Sequence, residues 1–84
     1  MEAEIAPTAR ELGVTFVPYS PLGRGFLTGS VPRAEDLPDG DYRKADPRYQ
    51  GANYEANMAA VAVVKAIAAA HAASPAQVAI AWLL

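Results

Sequence analysis

The residues whose types and spacing could do chemistry lie in the stretch VPYSPLGRGFLTG, residues 17–29. Ser20 offers a hydroxyl, and Arg24 adds a permanent positive charge suited to phosphate. Gly23 and Gly25 would let backbone N–H groups approach a ligand closely, so a pyrophosphate would fit this combination. A surface turn with an exposed arginine has the same composition, and the residue types alone leave both interpretations open.

Two common phosphate-binding fingerprints do not match this stretch. The pattern Gly23-x-Gly25-x-x-x-Gly29 has Thr28 where the dinucleotide fingerprint requires a third glycine. The Lys-Ser or Lys-Thr pair of a Walker phosphate loop is also lacking. If the stretch binds phosphate, it does so through a different arrangement of donors.

The elements before the stretch predict parallel α/β architecture. Residues 2–12 have helical apolar spacing with Pro7 in the first turn, and Gly13 stands where a left-handed residue commonly ends a helix. Residues 14–19, VTFVPY, are typical of a strand buried on both faces, although Pro18 weakens its last part. Tyr19 would then lie at the carboxyl end of a strand, where it could fill core or stack on a planar ligand.

The segment after the stretch, residues 30–54, is predicted to be a long loop. It is polar, broken by prolines and glycines, and has no sustained helical or alternating period. Loops of this length act as lids or binding loops or are disordered. Its aspartates lack the order of an EF-hand calcium loop, so a solvated loop is the better interpretation for them: Asp36, Asp39, Asp41 and Asp46.

Two helices are predicted to complete the chain. Residues 56–73 carry one apolar stripe, with Lys65 off the stripe: Met58, Val61, Val64 and Ala68. Ser74 then caps a second helix, with Pro75 at its first position and Gln77 placed to complete a capping box. Trp82 on this helix is predicted to lie in the core.

Composition excludes several classes of protein. The 84 residues are 52% hydrophobic and 19% charged, with a net charge of −2, which describes a globular chain without the basic excess of a nucleic-acid binder. No apolar run reaches the ~20 residues of a membrane span, and no signal peptide is recognisable. The chain has no cysteine and no metal-ligand cluster. A cytoplasmic protein without metal, nucleic-acid or membrane partners is the expectation.

Three segments in this order resemble the late part of an aldo/keto reductase: RELGVTFVPYSPLGRGFLTG, DPRYQGANYEANMAAV and SPAQVAIAWLL. The resemblance covers nearly the whole chain. It implies a partial domain, residues 1–84, of an eight-stranded (β/α)8 barrel, contributing one parallel strand, the long loop and two to three helices. Members of the family transfer hydride from NADPH to small aldehydes or ketones.

The resemblance also implies which residues bind the cofactor. Tyr19 matches a tyrosine that stacks on the nicotinamide ring, and the small residues after it match those that embrace the pyrophosphate. Arg24 matches an arginine common in one branch of the family. The predicted cofactor-binding residues are Tyr19, Ser20, Pro21, Leu22, Gly23, Arg24 and Gly25.

The same resemblance leaves large parts of the family's active site without a counterpart here. The catalytic tetrad and the segment that holds the adenosine 2′-phosphate match no residues of this chain, and Ser30 stands where many members have a lysine. We therefore expect a reductase fragment that is inactive by itself. A small non-catalytic helical interaction module is the alternative.

Overall fold

The computed structural model describes all 84 residues and contains helices but no strand. Three α-helices are formed: α1, Ile5–Glu11; α2, Gly51–Ala70; and α3, Pro75–Ala81. Four short 3-10 helices lie between α1 and α2: Phe26–Thr28, Ala34–Asp36, Tyr42–Ala45 and Pro47–Tyr49. The expected number of helices is therefore confirmed, whereas the expected strand is absent.

The prediction of a buried strand at residues 14–19 is wrong for this chain. The segment has no regular structure, and the backbone groups of residues 15–19 make no hydrogen bond. Val17 and Tyr19 are 82% and 89% exposed. A β-branched run becomes a strand only when a neighbouring strand satisfies its backbone groups, and none of these 84 residues supplies one.

Helix α1 ends as the sequence predicts. Gly13 has a φ of +66°. Its N–H donates to the Arg10 carbonyl at 3.2 Å, and the Val14 N–H donates to the Ala9 carbonyl at 2.8 Å. This pair of bonds is a Schellman motif, which satisfies two carbonyls at the helix end and turns the chain out of the helix.

Helix α2 begins five residues before its predicted start, inside the predicted long loop. Asn53 and Asn57 donate side-chain hydrogen bonds, both 3.2 Å, to the carbonyls of Pro47 and Arg48. These polar contacts anchor the first turns before the apolar stripe begins. The stripe itself is confirmed, because Val61 and Ala68 are buried and Met58 packs against the core.

Helix α3 begins with the predicted capping box. The Ser74 hydroxyl accepts from the Gln77 N–H at 3.2 Å, and the Gln77 side chain accepts from the Ser74 N–H at 2.7 Å. α3 packs against α2 and against the 3-10 helix at residues 26–28. No single helix is long and apolar enough to cross a membrane. α2 and α3 reach the necessary length and apolar character only when taken together, and they are bent by 93° relative to each other.

The core is small and lies beside residues 17–29. Six buried residues form it, drawn from the stretch, the following segment and α2: Phe26, Val31, Ala34, Leu37, Tyr49 and Val61. Trp82, predicted to be core, is instead 68% exposed, because no element of the chain packs over it. Together with Phe16 and Pro18 it lines an open groove of about 560 Å³ beside α1.

The end of α2 generates a test of backbone strain. Ala72 occupies the left-handed position of a second Schellman motif, with a φ of +50°, and its N–H donates to the Ala69 carbonyl at 3.3 Å. An L-residue is disfavoured there, so we expect Ala72→Gly to raise the free energy of unfolding by about 0.5–1 kcal/mol. Urea unfolding followed by helical circular dichroism measures the change.

The control is the same substitution inside α2. Ala66 is exposed in the helix interior, so Ala66→Gly should lower stability by about 1 kcal/mol. Destabilisation by both substitutions would contradict a strained left-handed residue at position 72.

Candidate functional site

The stretch from Ser20 to Gly25 is a compact turn built from left-handed backbone, and we call it the glycine loop. Three consecutive residues have positive φ: Gly23 at +56°, Arg24 at +59° and Gly25 at +94°. Ser20 is left-handed as well, at +53°. Glycine tolerates these angles readily, whereas Arg24 holds them only because the surrounding contacts fix the loop.

The hydrogen bonds of the glycine loop decide which amides a ligand could use. The N–H groups of Gly23 and Gly25 donate within the loop, to the Ser20 carbonyl at 2.9 Å and the Leu22 carbonyl at 3.1 Å. They are therefore not the free donors that the glycine spacing suggested. The amides without an acceptor in the chain are those of three alternate residues: Ser20, Leu22 and Arg24.

A cavity of about 440 Å³ opens beside the glycine loop. Four of the predicted site residues line it: Tyr19, Ser20, Gly23 and Arg24. Its other walls come from the core and α2, together with two polar side chains, Arg48 and Asn57. Three further predicted site residues, Pro21, Leu22 and Gly25, lie in the loop but do not line the cavity.

The side chain of Arg24 is held by a nearly buried carboxylate. Its Nη1 lies 3.0 Å from Oδ2 of Asp46, whose side chain is only 9% exposed. Arg48 Nη1 lies 3.4 Å from the same oxygen, so two guanidinium groups share one carboxylate and a net positive charge remains at the cavity. The Tyr19 side chain foremost, and also Asp46, raise the pKa of Arg24, whose guanidinium is charged at physiological pH in any case.

A second aspartate–arginine pair supports the loop from behind. The Arg43 guanidinium donates to both carboxylate oxygens of Asp41, through Nε at 3.0 and 3.2 Å and through Nη2 at 2.6 Å. Its Nη1 donates to the Arg24 carbonyl at 3.4 Å. The side-chain bonds from Arg43, then its backbone N–H, lower the pKa of Asp41 to about 2.

Tyr49 connects the core to the backbone of the glycine loop. It is fully buried, and its ring packs edge-on against Phe26 with 5.1 Å between ring centroids. Its hydroxyl lies within donating distance of two loop carbonyls, Gly23 at 3.1 Å and Arg24 at 3.2 Å. Burial raises the pKa of this hydroxyl above its ordinary value, so it remains a hydrogen-bond donor.

These supporting residues were missed at the level of the sequence. The expectation that the aspartates of residues 30–54 are merely solvated is wrong for Asp41 and Asp46. The signal was present as two Asp-x-Arg triplets, Asp41 to Arg43 and Asp46 to Arg48. In each, one aspartate oxygen accepts from the arginine N–H two residues on, at 3.0 Å, and so starts a 3-10 helix.

Comparison with known proteins supports the family resemblance that the order of the three sequence segments indicates. The model of the aldo/keto reductase family matches residues 1–84. The chain is 43% identical over 83 residues to an aldo-keto reductase of Schizosaccharomyces pombe, yakc, whose name specifies NADP(+). It is 47% identical over 77 residues to the aldo-keto reductase str7 of Strobilurus tenacellus.

These matches cover 99% and 92% of this chain but only 24% and 23% of the relatives. The chain thus spans about a quarter of the length of the curated relatives it matches. Among solved structures, the glycerol dehydrogenase AKR11B4 of Gluconobacter oxydans superimposes with a TM-score of 0.83 at 32% identity. That superposition covers 98% of this chain and 25% of the dehydrogenase chain.

The Asp41–Arg43 pair generates a pH-dependent stability. Because the pKa of Asp41 is about 2 in the folded chain and near its ordinary value of 3.8 in the unfolded chain, the pair stabilises the fold above pH ~4. That contribution is lost as the pH falls towards 2. We expect Asp41→Asn to lower stability at pH 6 and to flatten the decline between pH ~4 and 2.

Urea unfolding at several pH values measures this slope. Asp36→Asn is the matched control, since Asp36 is exposed and makes no ion pair. An unchanged slope in Asp41→Asn would show that the pair does not stabilise the fold.

Proposed function

The chain belongs to the aldo/keto reductase family, and from that premise we propose that it forms the part of an NADPH-dependent reductase that holds the nicotinamide and the pyrophosphate. The observation that carries the proposal is the glycine loop, where three unbonded backbone amides lie in one turn with a charged arginine. The proposal includes a place for these residues at the rim of a (β/α)8 barrel.

The glycine loop has the donors that a pyrophosphate requires. Backbone N–H groups in turn conformations form concave sites for anions, and the free N–H groups of Ser20, Leu22 and Arg24 lie on alternate residues of one such turn. Arg24 and Arg48 share one carboxylate, so their combined charge is not neutralised within the chain. An anion bound by the loop would gain charge-assisted hydrogen bonds as well as backbone ones.

Tyr19 is placed to contact a planar group. Its ring is 89% exposed, although it lines the same cavity as Arg24. An exposed aromatic face beside an anion site matches the chemistry of a nicotinamide nucleotide, whose ring and diphosphate are a short distance apart. When bound, the nicotinamide would supply the hydride for reduction of a small aldehyde or ketone, and Tyr19 would orient its ring.

The chain holds none of the residues that resemble the family's catalytic tetrad. Its extended segment and the residues after α3 also leave apolar side chains uncovered, including Val17, Trp82 and Leu84. Exposed apolar surface of this kind is normally covered by further structure, and in a barrel the strands and helices on either side would cover it. We therefore propose that these residues bind cofactor only weakly alone and do not catalyse reduction. A cytoplasmic location stays a prediction.

Inorganic pyrophosphate is the direct probe of the glycine loop. Titration of the ¹⁵N-labelled chain should shift the backbone amides of Ser20 and residues 22–25, with a Kd on the order of millimolar because only part of a cofactor site is present. Chloride at equal ionic strength is the control for non-specific screening. Shifts spread evenly over the basic residues, without a cluster in the loop, would contradict the proposal.

Tyr19→Ala separates ring stacking from anion binding. We expect the variant to bind NADPH more weakly by about 1 kcal/mol while its pyrophosphate affinity changes little, because only the nicotinamide contacts the ring. Tyr19→Phe keeps the ring and should keep the affinity. Equal NADPH affinity in wild type and Tyr19→Ala would rule out the stacking role.

An activity assay tests the remaining part of the proposal. The purified chain should not oxidise NADPH in the presence of 4-nitrobenzaldehyde faster than a protein-free blank, because no residue of it matches the catalytic tetrad. Turnover above that blank would show that the chain carries a proton donor of its own.

A further inference from the structure

We propose that Tyr49 is a positioning residue for the cofactor, one that orients the free Arg24 amide of the glycine loop through its buried hydroxyl. This inference rests on the proposed function and names the group outside the loop on which that function depends. Tyr49 lies 25 residues beyond Arg24 in the chain and matches none of the predicted cofactor-binding residues.

The hydroxyl of Tyr49 acts on the backbone at the centre of the loop. It lies 3.1 Å from the Gly23 carbonyl and 3.2 Å from the Arg24 carbonyl, so its single proton is shared between two adjacent peptide groups. Both carbonyls are therefore directed towards the core. The Gly23 carbonyl also accepts from the Phe26 N–H at 3.1 Å, and Arg24 is an L-residue at a φ of +59°, a conformation that persists only where neighbouring contacts hold it.

The geometry of the peptide bond links this contact to the orientation of the Arg24 N–H. Every peptide bond of the chain is trans, and in a trans peptide the C=O and the N–H point in opposite directions. Fixing the Gly23 carbonyl towards Tyr49 thus fixes the Arg24 N–H away from the core. That N–H is one of the three amides left free for an anion.

Two neighbours make the contact rigid. The Tyr49 ring is fully buried against Phe26, so it cannot swing away from the loop without opening the core. Arg43, held by Asp41, donates to the Arg24 carbonyl from a second direction at 3.4 Å. These contacts hold the carbonyls of the glycine loop in place. Its free amides are therefore oriented before an anion binds.

The chain contains a matched pair of tyrosines for the experiment. Tyr54 also packs edge-on against Phe26, at 5.8 Å between centroids, and its hydroxyl donates to a backbone carbonyl, that of Val31 at 2.8 Å. Val31 lies outside the glycine loop. Tyr49→Phe and Tyr54→Phe therefore each remove one hydroxyl and its backbone contacts, but only the first alters the loop.

Pyrophosphate titration of the ¹⁵N-labelled chains, each confirmed to be folded, compares the three proteins. We expect Tyr49→Phe to weaken pyrophosphate binding about three- to tenfold, the loss expected for one hydrogen bond, and Tyr54→Phe to change it less than twofold. The Arg24 amide resonance of the unliganded chain should move in Tyr49→Phe only. A general loss of stability would not produce this selective signature.

The outcomes separate the two proposals. Equal affinity in wild type and Tyr49→Phe would overturn the positioning role while leaving the glycine loop as an anion site. Absence of any loop-centred binding by the wild-type chain would overturn the proposed function, and the positioning role with it. If Tyr49→Phe does not fold, the titration of the wild-type chain decides, because the inference requires the Arg24 N–H to be one of the donors to the anion. Shifts of the Ser20 and Leu22 amides without a shift of the Arg24 amide would overturn the inference.

Discussion

A buried phenol attaches the left-handed backbone of the glycine loop to the core of this chain. The Tyr49 ring packs on Phe26, and its hydroxyl meets the carbonyls of Gly23 and Arg24. Of the three successive left-handed residues of the loop, the two glycines adopt positive φ readily, whereas Arg24 is an L-residue for which this conformation is costly. The hydrogen bonds from Tyr49 help to offset that cost.

Ion pairs also help to hold the glycine loop against the rest of the chain. Asp41 and Asp46 each accept from a backbone N–H two residues on and from an arginine side chain, so one carboxylate both starts a 3-10 helix and fixes a guanidinium. Exposed ion pairs contribute little to stability. Asp46, with a side chain 9% exposed, is better shielded, and it holds Arg24 at the cavity while leaving its charge partly uncompensated.

The remainder of the chain is much less self-contained. Only seven residues are buried, six of them in the one cluster around the glycine loop, so α1 and the extended segment after it have few internal partners. The chain spans roughly a quarter of the length of known family members, which is a physical reason why α1 and the extended segment have few partners within it. Apolar side chains such as Val17 and Trp82 are of types common at interior positions, yet they are 82% and 68% exposed.

The sequence by itself determined the features that depend on near neighbours along the chain. Gly13 ended α1, Ser74 with Gln77 began α3, and the apolar stripe of α2 faced the core, since capping and helical period act within one or two turns. The family could also be identified from the order of the segments. Only the tertiary structure decided that residues 14–19 are not a strand, because pairing needs a distant partner. It alone showed that the free amides are those of alternate loop residues and that the Tyr49 hydroxyl contacts the Gly23 and Arg24 carbonyls, since that contact joins positions 25 and 26 residues apart.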